Sequence, residues 1–210
     1  MIHFPENKII KPFSDLLIPK PKFFMPQRAR MGAAGAGGGG AGVKFDEYAG
    51  SNRNTDNNIG YASGGVDEAA GQAITLASNT TITAFWVYIK KNGSPSFNLN
   101  VTIYNATGTV GSTGKPTGSI LYTSGNIDYS GVGTGSFTMT EAVFSSKPVL
   151  TAGDYCFELI SDAYDTSNFM RYGVDSTSSS HAGNAFKRTA AGPTWTEQGT
   201  NDCCFEIWGY

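Results

Sequence analysis

The stretch Thr81–Lys90, TITAFWVYIK, sets Ile82, Ala84, Trp86 and Tyr88 in alternation against Phe85, Val87 and Ile89. Apolar side chains on both faces of an extended run describe a central strand that is covered on both sides. Asn98–Tyr104 alternates more cleanly, with Leu99, Val101 and Ile103 on one face. Ala73–Ala77, Ser119–Thr123, Ser136–Phe144, Asp154–Ile160, Phe169–Val174, Asn184–Arg188 and Cys203–Gly209 have the same character. Gly, Asn, Ser and Pro fill the gaps, so NGSPS, ATGTVGSTGKPTG and DYSGVGTG read as turns and loops. No amphipathic helical window of useful length interrupts the pattern. Roughly eight to ten strands at this spacing predict an all-β fold of two stacked antiparallel sheets, a sandwich or jelly-roll, over residues 43–210.

The first 42 residues cannot belong to that pattern. Pro5, Pro12, Pro19 and Pro26 recur every seven residues and divide the start into IHFPENK, IIKPFSD, LLIPKPK and FFMPQRA. Heptad spacing resembles a coiled coil, but proline in each piece forbids a continuous helix. The remaining reading is an extended arm over 1–31, each piece advancing roughly 22 Å at about 3.1–3.3 Å per residue. Its apolar anchors are Ile9, Ile10, Leu16, Leu17, Phe23 and Phe24. The arm carries six basic against two acidic residues, a net of +4; the rest of the chain holds nine against fifteen, a net of −6. Residues 32–42, GAAGAGGGGAG, form a tether that as a random coil spans about 18 Å. The chain ends directly out of a predicted strand, which places every candidate anchor ahead of the tether.

Chemistry-bearing motifs are sparse. Apolar runs in the arm are too short for a secretory signal, and nothing later approaches a membrane span. Cys156, Cys203 and Cys204 form no CxxC spacing, so buried reduced thiols are expected in place of a zinc site or disulfide framework. Asn54, Asp56 and Asn58 have the alternating oxygens of a calcium loop, but Gly60 falls one position late and no glutamate closes the loop, so a polar loop is expected. Cys156-Phe-Glu-Leu-Ile160 and Cys204-Phe-Glu-Ile-Trp208 echo each other. Period-2 geometry sends Phe157, Leu159, Phe205 and Ile207 inward and leaves Glu158 and Glu206 as solvent-facing acids. A glycosidase needs two carboxyl groups about 5–5.5 Å apart for retention, and nothing local brings these two together. His3 and His181 build no Ser-His-Asp or metal arrangement. No catalytic residue, metal ligand or cofactor is assigned.

The run Gly71-Gln-Ala-Ile-Thr-Leu, then Thr81–Lys90, Lys91-Asn-Gly-Ser-Pro, Leu99-Asn-Val-Thr-Ile-Tyr104 and Pro116-Thr-Gly resembles the first half of a jelly-roll domain of bacteriophage structural proteins and extracellular bacterial proteins. Leu150-Thr-Ala-Gly-Asp-Tyr-Cys-Phe157, Arg171-Tyr-Gly-Val-Asp175, Ala182-Gly-Asn184 and the Gly192-Pro-Thr-Trp195 turn are similar to its second half. The resemblance covers residues 60–210 and implies a sandwich without enzymatic activity, related in strand pattern to carbohydrate-binding modules. Trp195, on a Gly-Pro-flanked turn, is the candidate for stacking on a sugar ring; Trp86 and Trp208 lie within strands and read as core.

Two function classes follow as expectations. One is a structural protein of a virion, a capsid decoration or head/tail appendage, assembled in the host cytoplasm and anchored on other virion proteins through the arm. The alternative is a glycan-binding adhesin module recognising a cell-surface sugar. Nucleic acid is not expected, because +4 is small and no stacking fold accompanies it; no membrane partner is expected either, and homo-oligomerisation is left open.

Overall fold

A computed structural model describes residues 42–61, 67–177, 180–189 and 194–210. The expected arm with its anchors Ile9, Ile10, Leu16, Leu17, Phe23 and Phe24, the tether up to residue 41, and the Gly192–Pro193 turn lie outside the described residues. Among the described residues fourteen strands run in order: β1 (Val43–Tyr48), β2 (Thr55–Ile59), β3 (Asp67–Leu76), β4 (Thr80–Asn92), β5 (Leu99–Thr107), β6 (Lys115–Thr123), β7 (Thr138–Val143), β8 (Val149–Leu150), β9 (Gly153–Ser161), β10 (Phe169–Asp175), β11 (Asn184–Thr189), β12 (Trp195–Gln198), β13 (Asp202–Cys203) and β14 (Phe205–Gly209). The one helical element among the described residues is a 3-10 turn at Gly50–Asn52.

All strand pairs are antiparallel. A large sheet of eight strands runs β1-β14-β4-β10-β13, with β2 on β10 and both β7 and β8 on β4; a small sheet of six runs β12-β11-β3-β9-β5-β6. Their inner faces share one core, so the fold is a β-sandwich. Strand β4 pairs with β14 and with β7, the central position expected of Thr81–Lys90. The Phe85 ring lies parallel to Phe157 from the small sheet at 4.8 Å and to Phe205 from β14 at 5.5 Å. That stack joins the two layers, and offset ring pairs add to the area they bury.

Several local expectations change for physical reasons. In β4 the pairing with β14 passes from Ala84–Trp208 to Ile82–Gly209, skipping Thr83. This bulge flips the phase of the alternation, so Ile82 and Phe85 both enter the core while Trp86 faces outward and is only half-buried. Trp208 opposite Ala84 is likewise half-buried on the outer face, so neither indole is a core residue. GKPTG, expected as loop, opens β6: Pro116 is accommodated on an edge strand, and Gly118 takes a positive φ of 72° where the strand bends. Asp56 and Asn58 lie in a strand, β2, instead of a loop, because β10 supplies a ladder of backbone partners that needs no apolar side chains.

Candidate functional site

The outer face of the small sheet buries three polar side chains, Thr102, Glu158 and Asn184. On β9 the inward residues Tyr155, Phe157 and Leu159 leave Cys156 and Glu158 facing out. Cys156 packs with Ala73, Tyr104 and Phe186 into a second apolar cluster, flanked by Ala106, Val110 and Trp195. The connection between β5 and β6 is drawn over this cluster by Asn184. Its Oδ1 accepts from the amides of Gly111 at 3.0 Å and Gly114 at 3.1 Å, and its Nδ2 donates to the Gly114 carbonyl at 2.8 Å.

Glu158 sits at the rim of that cluster with no solvent exposure, a correction to the expectation of a solvent-facing acid. The Trp195 indole donates from Nε1 to its Oε1 at 2.8 Å, Thr102 Oγ1 donates to Oε2 at 3.3 Å, and Arg188 Nε stands 3.6 Å from Oε1. Burial pushes the carboxyl above its ordinary pKa even though Arg188 and the hydrogen bonds pull the other way. Trp195 therefore begins strand β12 as a half-buried ring: it lies edge-on to Tyr104 at 5.4 Å with the Arg188 guanidinium 5.8 Å from its centroid. Its N–H is committed to Glu158, and the rest of the ring is what a ligand would meet.

Glu158 and Glu206 project from the outer faces of opposite sheets, with the whole core between them, so they cannot act as an acid and nucleophile pair. Glu206 accepts from the Trp208 indole at 2.9 Å and from Lys44 at 3.3 Å. Asn54, Asp56 and Asn58 do not converge on a common point either. Asn54 bonds Asp175, Ser176 and Thr177, while Asp56 faces Arg171 at 3.3 Å.

His181 borders a groove of about 510 Å³ at one end of the sandwich, together with Asp46, Phe45, Leu76, Asn79 and Tyr210. Its Nδ1 accepts the Gly183 amide at 2.9 Å, which leaves Nε2 to donate to Asp46 at 3.0 Å. Burial works to lower its pKa, but the hydrogen bond and charge of Asp46, with the charge of Asp202, raise it overall. His3 lies outside the described residues. Cys156, Cys203 and Cys204 are free and buried. Burial drives all three thiols well up, so they stay protonated and unreactive.

The outer face of the large sheet carries Trp86 and Trp208, read as core from their place within strands, beside Glu47, Glu141 and Glu206. Period 2 itself carries the signal for Trp208, which shares the side of Glu206 once Phe205 and Ile207 point inward; for Trp86, in a strand apolar on both faces, no local pattern in TTITAFW tells which face is covered. Comparison of the chain with protein-family models gives no match, and comparison with curated proteins gives none.

Proposed function

We propose that this chain is a non-enzymatic structural protein of a viral particle, a capsid decoration or head/tail appendage that attaches to other virion proteins through residues 1–31 and displays its sandwich, a jelly-roll in this reading. The observation that carries the proposal is the arm's sequence. Apolar pairs at Ile9–Ile10, Leu16–Leu17 and Phe23–Phe24 recur ahead of prolines at a fixed interval, within a segment of net charge +4 that Gly and Ala separate from a body of net charge −6. Repeated anchors along one segment act as linked contacts whose joint affinity exceeds that of any single one. Each anchor side chain contributes roughly 1.5–3 kcal/mol when fully buried. A body whose described core runs from Tyr48 to Ile207 and is cross-linked by the Phe157–Phe85–Phe205 stack supports the reading, since such a domain suits display.

Particle occupancy tests it. Phe23→Ser together with Phe24→Ser lowers occupancy while the body's circular dichroism is unchanged, and deletion of 1–31 abolishes attachment. Full occupancy after that deletion overturns the proposal. A second reading, the glycan-binding adhesin module, is favoured by the ring of Trp195 on the outer face of the small sheet, half-exposed and backed by Arg188. Trp195→Ala would then remove glycan-array signal and leave occupancy untouched.

A further inference from the structure

We propose that the outer face of the large sheet is a self-complementary docking surface, on which a second copy of this chain packs face to face about a two-fold axis. The two sheets differ in how their backs are finished. The small sheet's back is capped by the second apolar cluster and Trp195. On the large sheet, Val143 is 46% exposed, and Met139, Trp86, Tyr88, Phe137 and Trp208 are half-buried, an apolar field framed by charge.

The charges are sorted by sign along the strands. One cross-strand row reads Glu47–Glu206–Trp86–Glu141 over β1, β14, β4 and β7. Lys44 contacts both Glu47 and Glu206, so three carboxylates and one ammonium leave a net of −2. Four residues further along β4, Lys90 and Arg53 stand over the two-sided ring of Phe137 at 5.1 and 4.4 Å, and Arg171 lies opposite Lys90 with Asp56 beside it. Three cations and one carboxylate give +2. At about 3.3 Å per residue the acidic and basic rows are roughly 13 Å apart. A two-fold axis lying in the plane of the face and crossing the strands between these rows sets each acidic row on the basic row of the other copy. Identical patches then meet as opposites, which is what an isologous interface requires.

Two groups in the acidic row are conspicuously uncommitted. Glu141 and the Trp86 opposite it make no side-chain hydrogen bond, ion pair or ring contact among the described residues. Glu141 is already partly desolvated, which raises its pKa, and no cation among the described residues compensates it. Lys90 and Arg53 of a second copy supply that compensation. The aromatic side chains between the rows supply the anchors that interface centres favour.

Sedimentation equilibrium on the full chain, at low and high salt, tests the proposal. Wild type is expected to show a monomer–dimer equilibrium that weakens with salt, since the pairing is ionic. Glu141→Lys and Lys90→Glu are each expected to weaken dimerisation about tenfold or more, because each sets like charges opposite one another. The double variant Glu141→Lys/Lys90→Glu is expected to restore association, as the pair is rebuilt with its signs exchanged. Both positions are on the surface, and circular dichroism confirms that each variant is folded. A wild-type chain that stays monomeric overturns the proposal, as does association that ignores the single reversals or a double variant that fails to recover. Loss of glycan-array binding by Glu141→Lys in a monomeric chain assigns the face to a sugar instead.

Discussion

Phe85 is the residue on which the union of the two layers can be tested. It is 1% exposed and stacks on Phe157 of the small sheet at 4.8 Å and 9° and on Phe205 of its own sheet at 5.5 Å and 1°. Truncating a buried phenylalanine to alanine costs about 3–5 kcal/mol from lost transfer and the residual cavity. Two ring pairs, at about 0.5–1.5 kcal/mol each, place Phe85→Ala in the upper part of that range, about 4–5 kcal/mol. Set against a typical domain stability of about 5–15 kcal/mol, this is about a quarter of the total or more. Phe85→Leu keeps most of the volume and is expected to cost about 1–2 kcal/mol. Urea unfolding followed by tryptophan fluorescence reads the difference. With a slope of about 2 kcal/mol per molar, the midpoint of Phe85→Ala falls by about 2 M at unchanged slope. Combining Phe85→Ala with Phe157→Ala in a double-mutant cycle should return a coupling of about 1 kcal/mol, because the rings touch across the sheets. A loss below about 1 kcal/mol, with no coupling to position 157, would refute the shared core.

Three further outcomes are expected. Because the native pKa of His181 is raised above 6.5, its contribution is fully present below that value and is lost as pH rises through the native pKa; Asp46→Asn should flatten this fall in melting temperature, and an unchanged slope would refute the pairing. A Cβ at Gly71 would stand 2.0 Å from the Phe157 carbonyl oxygen and 2.8 Å from the Glu158 Cα, both backbone, so Gly71→Ala must prise β3 from β9 at about 3 kcal/mol or more. Gly131→Ala, with open space around it, should be near neutral, and equal melting temperatures for the two would contradict the register. Trp195→Phe keeps an aromatic ring, though a smaller one, and removes the donor to buried Glu158, at about 1–3 kcal/mol near neutral pH. Since the Glu158 pKa is already raised, its stabilising contribution is complete below 4.5 and lost as pH rises through the native pKa; the variant should raise that pKa further, so a cost equally large in acid would count against the assignment.

What the sequence makes legible here is the set of strands that bury a face. TITAFWVYIK, LNVTIY, DYCFELI and FMRYGV alternate because one side of each meets the core, and they appear as β4, β5, β9 and β10, with ends within two residues except that β5 runs on from Tyr104 to Thr107. Strands held mainly by backbone ladders leave no such trace. VKFDEY is polar at half of its positions and TDNNI at all but the last, yet they become β1 and β2 because β14 and β10 offer them partners from more than 100 residues away. Strand β12 is a third case, paired to β11 and polar after its first residue.

The two C-F-E segments show why site residues are harder to read than strands. Both glutamates leave the core side of their strands as period-2 geometry requires, and local sequence treats them alike. Their environments are set by what crosses the outer face. Over Glu158 come Trp195, Arg188 and Thr102, from three other strands of the small sheet, close by the β5–β6 connection that Asn184 pins down; the result is a sealed carboxyl with a raised pKa. Beside Glu206 stand Lys44 and the Trp208 indole on a face that remains partly open. Periodicity fixes the side of the sheet a residue occupies, whereas burial on that side depends on contacts between elements distant in the chain. A substitution exchange would separate the two influences: Glu206→Gln should change stability by less than about 1 kcal/mol, as surface ion pairs do, while Glu158→Ala removes the acceptor of the Trp195 N–H and opens a cavity beneath it and should cost several times more. Equal costs would mean that the covering of the small sheet contributes nothing, and that strand pattern alone governs both positions.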